Sequence, residues 1–257
     1  MTLKRSKVLF LFLDVSDIHL SRTFLENKPL RLNVIENRFH PPHHTHGIVK
    51  YDAGETILAL NLAKKPRDDQ AGSTGIIQVY EGEFPELQLV TAFDQHEFLL
   101  TPSKTPRPVS LARPVLRELW MDAIDLAQSV NFYQNCLDIV LDTSTATEAY
   151  FVFQNLRLRI RALSSTGRPH PVRQDCMLLV IYCPDIIDAH SNLVSRGVVF
   201  PSSISQSQIG LSIQFLDPSG YRLCLYQPSE ESLGWESGAK VIEIMSSEVS
   251  TWNAIPT

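Results

Sequence analysis

Residues 116–141 read LRELWMDAIDLAQSVNFYQNCLDIVL, and the change of period inside them decides the fold. Leu116 to Ala123 is an apolar run suited to a strand. Asp125 to Leu137 then places Leu126, Val130, Tyr133 and Leu137 at helical spacing, with Asp125 as N-cap. Strand-like runs follow at Glu148 to Phe153 and Leu156 to Ala162. The same order returns downstream. Met177 to Cys183 reads as a strand, Asp185 to Arg196 as a helix, and Gly197 stands where a helix-ending glycine belongs. Val198 to Phe200 and Leu211 to Phe215 read as strands, Asp217 to Gly220 as a turn, and Tyr221 to Tyr226 as a closing strand.

The first half starts in the same way. Val8 to Val15 predicts a strand and Asp17 to Asn27 a helix. Strands are expected at Arg31 to Glu36, Gly47 to Tyr51 and Thr56 to Leu62. Beyond Lys65 come strands at Ile76 to Tyr80, Leu87 to Ala92 and Glu97 to Leu100, with no second helix. Thr101 to Pro114 holds four prolines, which favour extended backbone and mark a linker. The expected organisation is an N-terminal domain at 1–102 with a degenerate second module, a linker at 103–114, a complete C-terminal domain at 115–228 and a polar tail at 229–257. Within that tail Val241 to Met245 reads as an edge strand.

Composition narrows the class. The chain has 257 residues, 44% of them apolar and 20% charged, with 23 basic against 28 acidic side chains and a formal net charge of -5. A mildly acidic chain without a basic run is a poor phosphate-backbone binder, so nucleic acid is not expected as a partner. No apolar run approaches the ~20 residues of a membrane span, and no membrane partner is expected. Cys136, Cys176, Cys183 and Cys224 form no CxxC pair and read as reduced thiols of a cytoplasmic protein.

Four stretches, Leu13–Phe24 (LDVSDIHLSRTF), Tyr51–Leu60 (YDAGETILAL), Ser129–Leu141 (SVNFYQNCLDIVL) and Phe215–Gln227 (FLDPSGYRLCLYQ), resemble the vicinal-oxygen-chelate superfamily, the fold of glyoxalase I, bleomycin-resistance proteins and extradiol dioxygenases. Residues 66–90 match poorly, and Asp138 stands where the family usually has glycine. The resemblance implies an α+β protein of paired βαβββ modules, each pair curling into a half-barrel around a cavity, in two tandem domains. It also implies metal-ligand positions on the first and last strands of the modules. In this chain those positions carry Phe10, Asn61, Glu118, Arg159, Leu178 and Cys224. Phe10 and Leu178 have no donor, and a guanidinium repels a cation, so no metal and no other cofactor is expected.

Strand alternation groups Glu118, Trp120 and Asp122, then Arg157, Arg159 and Arg161, then Arg222, Cys224 and Tyr226. If these faces line the C-terminal cavity, Glu118, Trp120, Asp122, Arg159, Tyr182, Cys224 and Tyr226 form a site for a small organic ligand, aromatic or anionic. Solvent-facing arginines, one of them paired with Glu118, are the plainer alternative. The expected function is metal-independent small-molecule binding. The alternative is an enzyme of the same superfamily, a lyase, isomerase or dioxygenase, with Glu118 as general base. His40, His43, His44 and His46 cluster in FHPPHHTHG, which reads as a solvated, proline-flanked loop, with metal binding as the lesser alternative. A third reading is a non-catalytic interaction scaffold, with the degenerate N-terminal half as the surface of a homodimer or of another partner.

Overall fold

The computed structural model describes residues 3–4, 6–38, 47–62, 74–103, 113–167 and 176–247. Four modules follow one another. The first comprises β1 (Val8–Val15), α1 (Ile18–Glu26), β2 (Asn33–Asn37), β3 (Ile48–Asp52) and β4 (Ile57–Leu62). The second has strands only, β5 (Ile76–Gly82), β6 (Gln88–Thr91) and β7 (Glu97–Pro102), with a single 3₁₀ turn at Phe93–Gln95 in place of a helix. The third runs β8 (Val115–Ala123), α2 (Leu126–Asn131), β9 (Val140–Ser144), β10 (Glu148–Val152) and β11 (Arg157–Ala162), followed by the short α3 (Leu163–Thr166). The fourth is β12 (Met177–Tyr182), α4 (Ile186–Ser195), β13 (Ser205–Ser207), β14 (Gly210–Leu216) and β15 (Arg222–Pro228). Two helices close the described chain, α5 (Glu230–Leu233) and α6 (Gly238–Ser246).

The helices start where side-chain chemistry places them. Asp17, Asp125 and Asp185 each have extended backbone and accept amide hydrogens of the first helical turn, the role of an aspartate N-cap. Gly197 follows α4 at φ +88°, a left-handed conformation that glycine adopts without strain. Val198–Phe200 is not a strand, and Val199 is largely exposed.

The modules pair differently from the tandem-domain expectation. An eight-stranded sheet has the order β13-β14-β15-β12-β1-β4-β3-β2, and a seven-stranded sheet the order β6-β7-β5-β8-β11-β10-β9. The first module therefore shares a sheet with the fourth, through antiparallel β1 and β12 with Phe10 opposite Val180. The second shares one with the third, through antiparallel β5 and β8 with Ile77 opposite Trp120. Residues 115–228 do not close a cavity by themselves. Each central strand presents one backbone edge to its own module and one to a partner, and only packing chooses that partner.

A single apolar core joins the two sheets, with Leu11, Leu13 and Tyr51 of the first module, Phe98 of the second, Met121 and Tyr133 of the third, and Leu179 and Leu223 of the fourth. Buried polar ties cross it. Asn155 exchanges hydrogen bonds with the backbone of Val8 at 2.8 and 2.7 Å. The Tyr221 hydroxyl donates toward the carbonyls of Gly75 and Asp122, both at 3.2 Å.

The tail is helical rather than an edge strand. The run VIEIM fits either period over five residues. In α6 Val241, Ile244 and Met245 turn together onto Phe10, Val180, Cys224 and Tyr226, while Ile242 is exposed. This second apolar cluster covers the outer, concave face of the eight-stranded sheet.

Candidate functional site

That concave face and the tail enclose a cavity of about 250 Å³. Phe10 and Phe12 of β1, Ile48 of β3 and Leu178 and Val180 of β12 supply its apolar floor. Leu233, Trp235, Ser237 and Val241 form the opposite wall. Ser212, Gln214, Cys224 and Tyr226 bring polar atoms from β14 and β15.

One end carries charge. Alternation along β2 and β3 sends Glu36 and Lys50 to the same face, and Arg38 follows one step beyond Glu36. Glu36 is buried, and both of its oxygens are used. Oε1 meets Nε of Arg38 at 2.8 Å. Oε2 accepts from Lys50 Nζ at 2.9 Å, from Ser237 Oγ at 2.5 Å and from the Ser237 amide at 3.3 Å. Burial by itself would push the Glu36 carboxyl up. The hydrogen bonds from Ser237 and Lys50 and the charges of Lys50 and Arg38 outweigh it and hold the group below its ordinary value. Burial draws the Lys50 ammonium below its ordinary value, against the pull of Glu36. The Arg38 guanidinium lies over the Trp235 ring, its central carbon 3.8 Å from the ring centroid.

Further along, Tyr226 donates to the Ile209 carbonyl at 2.6 Å. The Cys224 thiol points its hydrogen at the Leu225 carbonyl at 3.2 Å, and burial pushes it up to about 12. At neutral pH it is a thiol and not a thiolate.

The residues read from the sequence fall on two sheets. Cys224 and Tyr226 line the cavity, as do Phe10 and Leu178, and Tyr182 packs against the same apolar cluster. Glu118, Trp120, Asp122 and Arg159 lie on the seven-stranded sheet and are not part of it. The expectation of a single pocket is corrected by the module pairing: β8 and β12 belong to different sheets, so the face that carries Glu118 and the face that carries Cys224 do not share a pocket. Asn61 bonds to Asp14 at 2.6 Å and does not line the cavity. His40, His43, His44 and His46 lie outside the described residues, in the connection between β2 and β3.

On the seven-stranded sheet the arginine row is neither free nor fully solvated. In the β8–β11 register Arg157, Arg159 and Arg161 stand opposite Glu118, Trp120 and Asp122. Arg159 stacks 4.2 Å from the Trp120 ring and pairs with Glu148. Arg157 stacks on Tyr150 and pairs with Asp142 at 2.8 Å, and Arg161 pairs with Asp122, which is fully buried. Burial raises the Glu118 carboxyl, while the Trp120 indole N–H and the charges of Arg157 and Arg159 oppose the rise. Glu118 Oε1 and Trp120 Nε1 are both buried without a well-aligned hydrogen bond.

Glu36, Arg38, Lys50, Trp235 and Ser237 were not singled out by sequence. A lysine inside the apolar strand IVKYD was the available signal. Its meaning depends on a carboxylate two strands' length away and on a serine in the tail.

A divalent metal, which the fold resemblance implies, does not suit these residues. Among the described residues no three His, Cys, Asp or Glu side chains converge. In the cavity Cys224 is protonated, Glu36 is already neutralised by two cations, and Phe10 and Leu178 offer no donor.

Residues 123–225 match the family model described as the Glyoxalase/Bleomycin resistance protein/Dioxygenase superfamily. Glyoxalase I from Zea mays is similar in structure with a TM-score of 0.61 and 13% identity, over 86% of this chain and 92% of that one. A putative dioxygenase from Bacillus subtilis subsp. subtilis str. 168 is similar with a TM-score of 0.64 and 8% identity, over 95% of this chain and 91% of that one. No curated protein sequence matches the chain. At these identities the likeness concerns the fold, and the fold is that of paired βαβββ modules.

Proposed function

We propose that this chain, which carries the vicinal-oxygen-chelate fold, binds a small organic molecule without a metal in the cavity between its first and fourth modules. The observation that carries the reading is the cavity itself: about 250 Å³, walled by a sheet and by the tail, mostly apolar, with a few polar groups gathered at one end. Its residues offer shape and charge to a ligand but no divalent-ion site. A cytoplasmic setting accords with four cysteines that are all free thiols.

Titration with the neutral fluorophore N-phenyl-1-naphthylamine tests the reading. Fluorescence rises on binding to the wild-type chain and stays flat in Val180→Trp, which fills the cavity floor. Equal fluorescence in both proteins, or none in either, defeats the proposal.

The raised, partly unsatisfied Glu118 carboxyl favours a second reading, an acid–base enzyme working on the face of the seven-stranded sheet that carries Glu118. Turnover of an α-hydroxycarbonyl substrate that disappears in Glu118→Gln but persists in Val180→Trp would establish it.

A further inference from the structure

Three charged side chains line the cavity among the described residues: Glu36, Arg38 and Lys50. Among the described residues, one acid against two bases leaves one positive charge without an opposite in the cavity lining. The nearby Glu236 acts on Lys50 at a distance, but it is exposed and lines no part of the wall.

The two cations are not equivalent. Lys50 is spent on Glu36 and Ser237, at 2.9 and 3.0 Å, and only 11% of its side chain is accessible. Arg38 meets Glu36 through Nε alone and keeps 48% of its side chain accessible. The centre of the guanidinium lies 3.8 Å from the centroid of the Trp235 ring. Because Nε is the atom that meets Glu36, the two η nitrogens form the edge of the guanidinium that can act as a fork. That fork matches the two oxygens of a carboxylate. A dianion would overbalance the site, a cation would be repelled, and a neutral occupant would leave the charge unanswered.

Resting on the cavity-binding reading above, we infer that the occupant is an organic monocarboxylate with an apolar body, its carboxylate on the Arg38 fork and its body along Phe10, Phe12 and Val180. Calorimetric titration of the full chain with 4-phenylbutanoate and with its neutral amide tests this. The acid binds about tenfold or more tighter than the amide, the gain expected of a charge-assisted fork. Arg38→Gln abolishes the preference for the acid over the amide. Arg38→Lys, which keeps the charge and loses the fork, retains only part of it. Acid and amide binding alike to the wild type overturns the carboxylate assignment and leaves the cavity reading standing. A preference that survives in Arg38→Gln overturns the role of Arg38. If the neutral fluorophore binds but neither compound displaces it, the ligand class is wrong. If the fluorophore does not bind, the cavity reading beneath it has failed.

Discussion

The carboxylate of Glu36, in the second strand of the chain, accepts a 2.5 Å hydrogen bond from the hydroxyl of Ser237, 201 residues later. Together with Lys50 this bond anchors the N-terminal end of α6 to the sheet, so the wall of the cavity is held by buried polar contacts as well as by apolar ones. Ser237→Ala removes one of the three hydrogen bonds to Glu36 Oε2. A loss of about 1–2 kcal/mol of stability is expected from urea unfolding, typical of a buried hydrogen bond to a charged group.

The other end of α6 is held by Lys7. Its ammonium is buried and donates to the carbonyls of Ile244, Met245 and Ser247 and to the Ser247 hydroxyl. A cation at a helix C-terminus satisfies carbonyls that have no partner within the helix. Lys7→Met is expected to speed hydrogen exchange of the α6 amides while leaving those of β12 protected. Iodoacetamide should then label Cys224 faster than in the wild type, where α6 covers the thiol and burial pushes it up to about 12.

Gly238 opens α6 in a place where no side chain fits. A Cβ there would stand 1.9 Å from the Leu233 carbonyl oxygen, backbone that cannot swing aside. Gly238→Ala should lower the thermal midpoint by several degrees and weaken fluorophore binding at least about tenfold, because the wall must shift as a unit. An unchanged midpoint would mean that the α5–α6 turn is far looser than this packing allows.

Stability should also depend on Asp217. This buried carboxyl accepts the Tyr133 hydroxyl at 3.0 Å and the amides of Ser219 and Tyr221, yet burial outweighs these contacts and raises it to about 6 from 3.8. A carboxyl raised on folding favours the folded state while protonated. Its contribution is full below about pH 4 and is lost as pH rises through about 6. Thermal midpoints measured from pH 4 to 7 should therefore carry a component that falls with pH and vanishes in Asp217→Asn. A slope identical in both proteins would remove Asp217 as its source.

Most of the strands and helices were legible because their signals are local. Asp17, Asp125 and Asp185 each announce a helix within four residues, and the apolar runs beginning at Val8, Leu116 and Met177 alternate as strands should. The tail misled for the same reason. VIEIM is too short to separate a period of 2 from one of 3.6, and the deciding fact, a concave sheet waiting to be covered, lies elsewhere in the chain.

The candidate site was legible only in half. Cys224 and Tyr226 share a face by alternation and both line the cavity, as do the donorless Phe10 and Leu178. Glu118, Trp120 and Arg159 were placed with them, although they stack and pair on the other sheet. Nothing in residues 115–228 says that β12 prefers β1 to β8.

By itself the order of amino acids determined the repeating unit and the alternation of its strands, since each depends on neighbours within a few residues. Tertiary packing alone decided which modules share a sheet, and with that which side chains see one another. Backbone edges are chemically alike, so their choice of partner rests on the shared core of Leu11, Met121, Tyr133 and Leu223. The meeting of Glu36, Lys50 and Ser237 follows from that choice, as does the cavity they border.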